Sequence, residues 1–279
     1  MKNPRKQPWL DRQLNHWADF TIRRQRPILI GSLTVMPLVA AGVMLIVLDD
    51  NFVEYFDHSY QFRVETDFIR DNLTGMDSIE YSLKTGEPGG INDPLYLNRV
   101  EQFATWYRKQ EGVVHVSAIT DIVKRLNANM HNNDPFYARV PEDRNTAAQY
   151  LLLYKLSLPR GLDLNNQINL DESATRFTVT LRNVSNKQLI ELEQRAYEWL
   201  QENTPAIMHV RGASPSLMFA KISERNINSM LNGNVLALFL VSGIMLIALR
   251  SISLGLVSLV PNIFPALLAF GIWGYLVGQ

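Results

Sequence analysis

Three long stretches without a single charged side chain constrain this sequence more than any other feature. Residues 27–48 (PILIGSLTVMPLVAAGVMLIVL) give 22 positions without a charge, residues 226–249 give 24, and residues 251–279 are uncharged throughout. At about 1.5 Å rise per residue, each is long enough as a helix to cover the roughly 30 Å hydrocarbon core of a bilayer. A buried helix of a soluble protein rarely runs so far without one charge, so the pattern predicts membrane helices at 27–48, 226–249 and 254–277. The first is no cleavable signal, because it is long, starts late, and "VLDDNF" offers no small-residue cleavage site.

The flanks of the first run carry opposite charge. Residues 1–26 hold Lys2, Arg5, Lys6, Arg12, Arg23, Arg24 and Arg26 against Asp11 and Asp19, whereas Asp49, Asp50, Glu54 and Asp57 follow it. Basic residues are retained on the cytoplasmic side. This predicts a cytoplasmic segment 1–26, an outer domain 49–225, and a short cytoplasmic turn 250–253 marked by Arg250. The balance of 27 basic and 27 acidic residues argues against a dedicated nucleic-acid binder, and the absence of cysteine excludes a disulfide scaffold and any thiolate metal site.

Within 49–225 the hydrophobic period changes repeatedly. "SIEYSLK" (78–84) alternates like a strand, and Asp93-Pro94 supplies an N-cap and first-turn proline for a helix to about Glu111, with Leu97, Val100, Phe103, Ala104 and Tyr107 on one face. Gly112 should end it, and "VVHVSAI" (113–119) reads as a second strand. "TRFTVTLR" (175–182) points Phe177, Val179 and Leu181 inward; Ser185 caps a helix with the stripe Leu189, Leu192, Ala196, Trp199 and Leu200; "AIMHVR" (206–211) reads as a last strand. Strand–helix–strand twice over is the split βαβ, or ferredoxin-like, pattern of an antiparallel sheet with helices on one face. Helices at about 121–130 and 142–157 are inserted between the halves. A Pro-, Gly- and Asn-rich loop, "SLPRGLDLNNQINLD", follows them, and loops of that length commonly contact a partner. Arg160, Asp163, Asn165 and Asn166 are its candidate contact residues.

Groups for catalysis are sparse. His16, His58, His115, His131 and His209 share no metal-ligand spacing, and no P-loop, nucleophile elbow or cofactor motif is present. "TGEPGG" (85–90) reads as a turn, and Ser214-Pro215 as a helix cap and first helical residue. The acidic cluster Asp49, Asp50, Glu54 and Asp57 could hold a cation, but a solvated flank of a membrane helix is the simpler reading. Asn72-Leu-Thr74 and Asn183-Val-Ser185 match the glycosylation pattern, as short sequences often do. No metal, cofactor or enzymatic chemistry is expected. The uncharged runs also lack the intramembrane carboxylates that mark proton or ion relays.

The last run is odd for a membrane helix. "PNIFP" places Pro261, Asn262 and Pro265 within about a turn and a half, and such backbone is tolerated only where neighbouring protein re-satisfies it. The third span is therefore expected to be bent and packed inside a bundle, with Gly271 and Gly274 permitting close approach of another helix.

The order of basic N-terminus, span, outer α/β domain, span, "LRS" (249–251) and the "PNIFPALLAFGIWG" (261–274) span resembles half of a transporter of the resistance–nodulation–division superfamily. The branch of mycobacterial large membrane proteins and hopanoid exporters is the most similar; "LDDNFVEYFD" (48–57) and "AAQYLLLYKLSLPRGLDLNNQIN" (147–169) carry the same resemblance. It implies a porter-type outer domain in the periplasm, a multi-pass inner-membrane location, and proton-driven export of hydrophobic or lipid-like substrates. It also implies partnership with membrane lipids, further transmembrane helices, and a second half or copies of the same chain. The family's proton relay belongs to a fourth span, expected beyond Gln279, so this chain by itself is not expected to transport. Competing classes are a membrane-tethered periplasmic sensor, a sterol-sensing-type membrane protein without pumping activity, and, least supported, a membrane-anchored hydrolase.

Overall fold

The structure is a computed structural model describing residue 17 and residues 19–46, 52–159, 164–182, 184–251, 253 and 259–277. The chain is α+β and mostly helical, and it divides into two units: residues 1–48 with 229–279, and residues 49–228.

In the first unit, α1 (Gln25–Ala41) continues as a tighter 3₁₀ turn, Gly42–Leu45. Helix α7 (Pro215–Leu249) ends at Arg250, whose φ of 47° is the left-handed conformation common just past a helix C-terminus. Helix α8 spans Leu259–Leu276. Two helical stretches are long and apolar enough to cross a membrane: Gln25–Leu45, with mean hydropathy 2.2, and Pro215–Ala248, with 2.0. In α8 the apolar stretch is Ile263–Leu276.

The second unit is built on a three-stranded antiparallel sheet of order β1-β3-β2, formed by β1 (Asp77–Lys84), β2 (Val113–Ser117) and β3 (Ala174–Leu181). The register pairs Asp77 with Leu181 and Lys84 with Ala174; β2 joins the other edge of β3 with an irregularity between Val113 and His115. The same unit contains α2 (Gln61–Asn72), α3 (Pro94–Tyr107), α4 (Ile119–Met130), α5 (Arg144–Ser157) and α6 (Asn186–Asn203).

Local chemistry explains these boundaries. Asp93 accepts the Leu95 amide at 2.9 Å and Pro94 opens α3. Gly112, at φ 77°, makes the turn into β2, where a side chain would collide with Val184. Ser185 and Gln188 form a reciprocal capping box at the start of α6. Alternation along the strands sends Ile79, Tyr81, Leu83, Phe177, Val179 and Leu181 into the core, and all five stripe positions of α3 are buried with them. Aromatic rings fill the space between: Phe103 lies 4.8 Å from Phe177 and 5.1 Å from Trp199, and the buried Tyr81 and Tyr107 hydroxyls are 2.6 Å apart. Burial pushes both phenols up from their ordinary pKa, so this pair stays neutral.

Two expected strands differ. Residues 118–119 leave β2, and Ile119 begins α4. Residues 206–211 form no strand: Ala206–Met208 is a 3₁₀ turn after Pro205, with the Met208 amide bonded to the Pro205 carbonyl and that of His209 to Ala206. Local i→i+3 bonds consume the groups a ladder would need. On the edge of β1 away from β3, among the described residues only Ala213 pairs, exchanging two backbone hydrogen bonds with Glu80 at 2.8 and 3.0 Å. His209 therefore lies outside any strand, its Nε2 2.9 Å from the Thr204 carbonyl oxygen.

Candidate functional site

Two places gather the residues singled out in the sequence, one in each unit. In the membrane-type unit, α8 packs against α1 and its 3₁₀ extension with almost no side chain between them. A Cβ on Gly271 would stand 2.1 Å from the Val39 carbonyl oxygen, and one on Gly274 would stand 1.8 Å from that of Gly42; Gly42 in turn has no room against Gly271 and Tyr275. The tightening at Gly42 has a backbone consequence. Its amide turns to the Val39 carbonyl rather than closing an α-helical bond to Leu38, and the Leu38 carbonyl accepts the Tyr275 hydroxyl at 2.7 Å. In a medium without water such a carbonyl needs a protein donor, and Tyr275 supplies it across the helix pair.

Pro265 lies inside α8 and denies the Pro261 carbonyl its helical donor. Pro261 and Asn262 are in the helix backbone, and their side chains lie outside the described residues. Arg23, Arg24 and Arg26 are exposed at the start of α1, and Arg250 is exposed at the end of α7.

In the second unit, residues 164–169 stand over the polar face of the sheet. They enclose with it a cleft of about 390 Å³ lined by Glu80, Ser82, Asn165, Asn166, Arg176 and Ala213, among others. Its floor is a two-pronged ion pair, Arg176 Nη2 to Glu80 Oε1 at 2.6 Å and Nε to Oε2 at 3.0 Å, which raises the arginine further above its ordinary pKa. The loop is held by its own backbone: Arg176 donates its amide to the Gln167 carbonyl at 2.7 Å, and the Asn169 carboxamide oxygen accepts the Ser173 and Ala174 amides. Asn165 and Asn166, in the turn Leu164–Asn166, thus share a wall of one cleft. Arg160 and Asp163 lie outside the described residues. Most of the lining surface is apolar, with neutral amide and hydroxyl groups around an internally compensated ion pair, which suits an uncharged molecule with both apolar and polar parts and offers no nucleophile–base set.

Sequence reading alone missed Glu193. This α6 carboxylate is 1% exposed, accepts the buried Gly212 amide at 3.0 Å, and faces Arg211 at 3.2 Å and Lys221 at 3.6 Å. Arg211 also lies over the Tyr197 ring at 4.0 Å. On the helix wheel Glu193 sits beside Leu189, Leu192, Ala196 and Leu200, so an acid on that apolar stripe was the available signal.

No group of three or more metal-ligating side chains occurs among the described residues. Of the acidic cluster, Asp49 and Asp50 lie outside the described residues, as does the Glu54 side chain, while Asp57 is an exposed cap whose carboxylate is held below its usual range by the Ser59 amide. Against known protein families the chain matches no family model, and no characterised protein matches it in sequence.

Proposed function

We propose that this chain is a membrane-embedded module of a resistance–nodulation–division-type exporter, taking hydrophobic or lipid-like molecules outward across the inner membrane in a proton-coupled assembly. The observation that carries the reading is the arrangement of the outer unit. The order β1-β3-β2, with Ala213 at the free edge of β1, is what a split βαβ sheet of order 4-1-3-2 becomes when its last strand shrinks to a single bridge. That unit interrupts the chain between two apolar helices. On this reading it is the periplasmic porter-like domain, α1, α7 and α8 are three spans, and the basic N-terminus is cytoplasmic.

The glycine-lined α1–α8 contact fits a span made for a helix bundle rather than a simple anchor. The cleft under residues 164–169 is the candidate place for the polar end of an amphipathic cargo or for a partner domain. Because the uncharged runs carry no acid or base, protons must cross on other helices of the assembly.

The test is transport. Everted vesicles holding this chain together with the partner helices that complete the assembly should accumulate a lipophilic dye in their lumen when the lumen is made acidic, and a protonophore should stop them; vesicles with this chain alone should not accumulate it. Gradient-independent accumulation, or none by the complete assembly, would overturn the proposal.

A further inference from the structure

Trp17, Phe20, Arg23, Arg24 and Arg26 lie at and just before the start of α1, apart from the glycines of the α1–α8 contact. A helical turn at 19–23 precedes α1, and Arg24 interrupts the helix with φ −111° and ψ 24°. Its guanidinium carbon lies 5.6 Å from the centre of the Phe20 ring, and Trp17 meets the same ring edge-on at 6.3 Å. Trp17 is 64% exposed and Phe20 44%. Arg23, Arg24 and Arg26 are exposed, and among the described residues none of them pairs with a carboxylate. Within the first 26 residues stand seven Lys and Arg against two Asp.

We infer that this segment is a binding surface for anionic phospholipid headgroups, with Arg23, Arg24 and Arg26 contacting phosphates and Trp17 and Phe20 seated at the interface. Three features choose a lipid over an acidic protein. The arginines end one residue before the apolar run, which puts them at headgroup depth wherever α1 crosses a bilayer. Amphipathic rings are favoured at that same depth. Clustered basic residues immediately cytoplasmic of a span are drawn to a negatively charged leaflet. The inference goes beyond topology, since it requires lipid selectivity and not merely orientation, and it rests on the reading of α1 as a span.

The full chain, reconstituted in vesicles of one part phosphatidylglycerol to three parts phosphatidylcholine, would be released by mild detergent and its retained lipids counted by native mass spectrometry. Phosphatidylglycerol should be several-fold enriched over the bulk, and the enrichment should fall in high salt as exposed charges are screened. The triple variant R23Q/R24Q/R26Q should lose most of that enrichment at low salt, while the triple lysine variant should keep most of it. The salt dependence of the native chain needs no variant, so a triple variant that fails to insert leaves the test intact. Failure of the native chain to float with the vesicles would remove the spanning reading and this inference with it. Flotation without enrichment, or enrichment unchanged by salt and by the glutamine variant, would overturn the lipid site alone.

Discussion

Glu193 shows what a single buried charge does in this fold. Its two oxygens meet the Gly212 amide, Arg211 and Lys221, so three later positions of the chain converge on one side chain of α6. Removing it leaves a buried amide unsatisfied and two cations without their counter-ion. Glu193→Ala should therefore destabilise this unit by about 2–4 kcal/mol, whereas Glu193→Gln, which can still accept the Gly212 amide, should cost about half as much. Urea denaturation of both variants checks this, and equal costs would show that packing rather than the carboxylate matters. Gly212 is the complementary case: a Cβ there would lie 2.5 Å from Ile79 Cγ2, so Gly212→Ala should overpack the site and cost about 1–3 kcal/mol.

At the scale of elements, the helix caps follow from sequence and the helix pairing does not. The Ser185–Gln188 box starts α6, and Ser185→Ala should cost about 1 kcal/mol in a thermal or urea melt, with no change in the sheet's spectroscopic signature. The α1–α8 contact depends on Gly42, Gly271 and Gly274 facing one another, which are two glycines three apart in register with one much earlier in the chain. Because the protein has no cysteine, Leu38→Cys with Tyr275→Cys gives an unambiguous reporter. A short bifunctional thiol reagent should link that pair efficiently in membranes. Adding Gly274→Leu should abolish the link, and cross-linking that survives it would mean that the two helices do not pack through the glycines.

For the molecule as a whole, the unit of residues 49–228 carries its own core of aromatic and aliphatic side chains. Residues 49–225 made as a soluble protein should melt cooperatively, while a broad, aggregating transition would contradict an autonomous unit. Its stability should fall in acid. Asp67 is held below its usual pKa by hydrogen bonding from Arg63, and Asp143 by the Thr146 amide at the start of α5. A depressed folded pKa stabilises the fold above the ordinary carboxylate range, about 4. That contribution disappears as pH drops through the lower folded values, so melting temperatures should decline below about pH 4 and plateau above it. The same loss should be smaller in Asp143→Asn.

The sequence by itself determined where hydrophobic surface must go. Uncharged length marked the membrane-type helices, period-2 and period-3.6 patterns marked β1, β3, α3 and α6, and Asp93, Ser185 and Ser214 marked helix starts; α3, expected to run to about Glu111, ends at Tyr107, and Gly112 makes the turn into β2. These are local properties, written within a few residues of where they act. The strand expected at 206–211 had the right alternation, but Pro205 and successive i→i+3 bonds spend its backbone groups on turns, and only Ala213 reaches β1. Glu193, the Arg176–Glu80 floor of the cleft and the meeting of Gly42 with Gly271 and Gly274 were decided only by the tertiary structure. Each joins residues far apart in the chain, and no local pattern encodes which distant backbone will approach closely enough to need a glycine or a buried carboxylate.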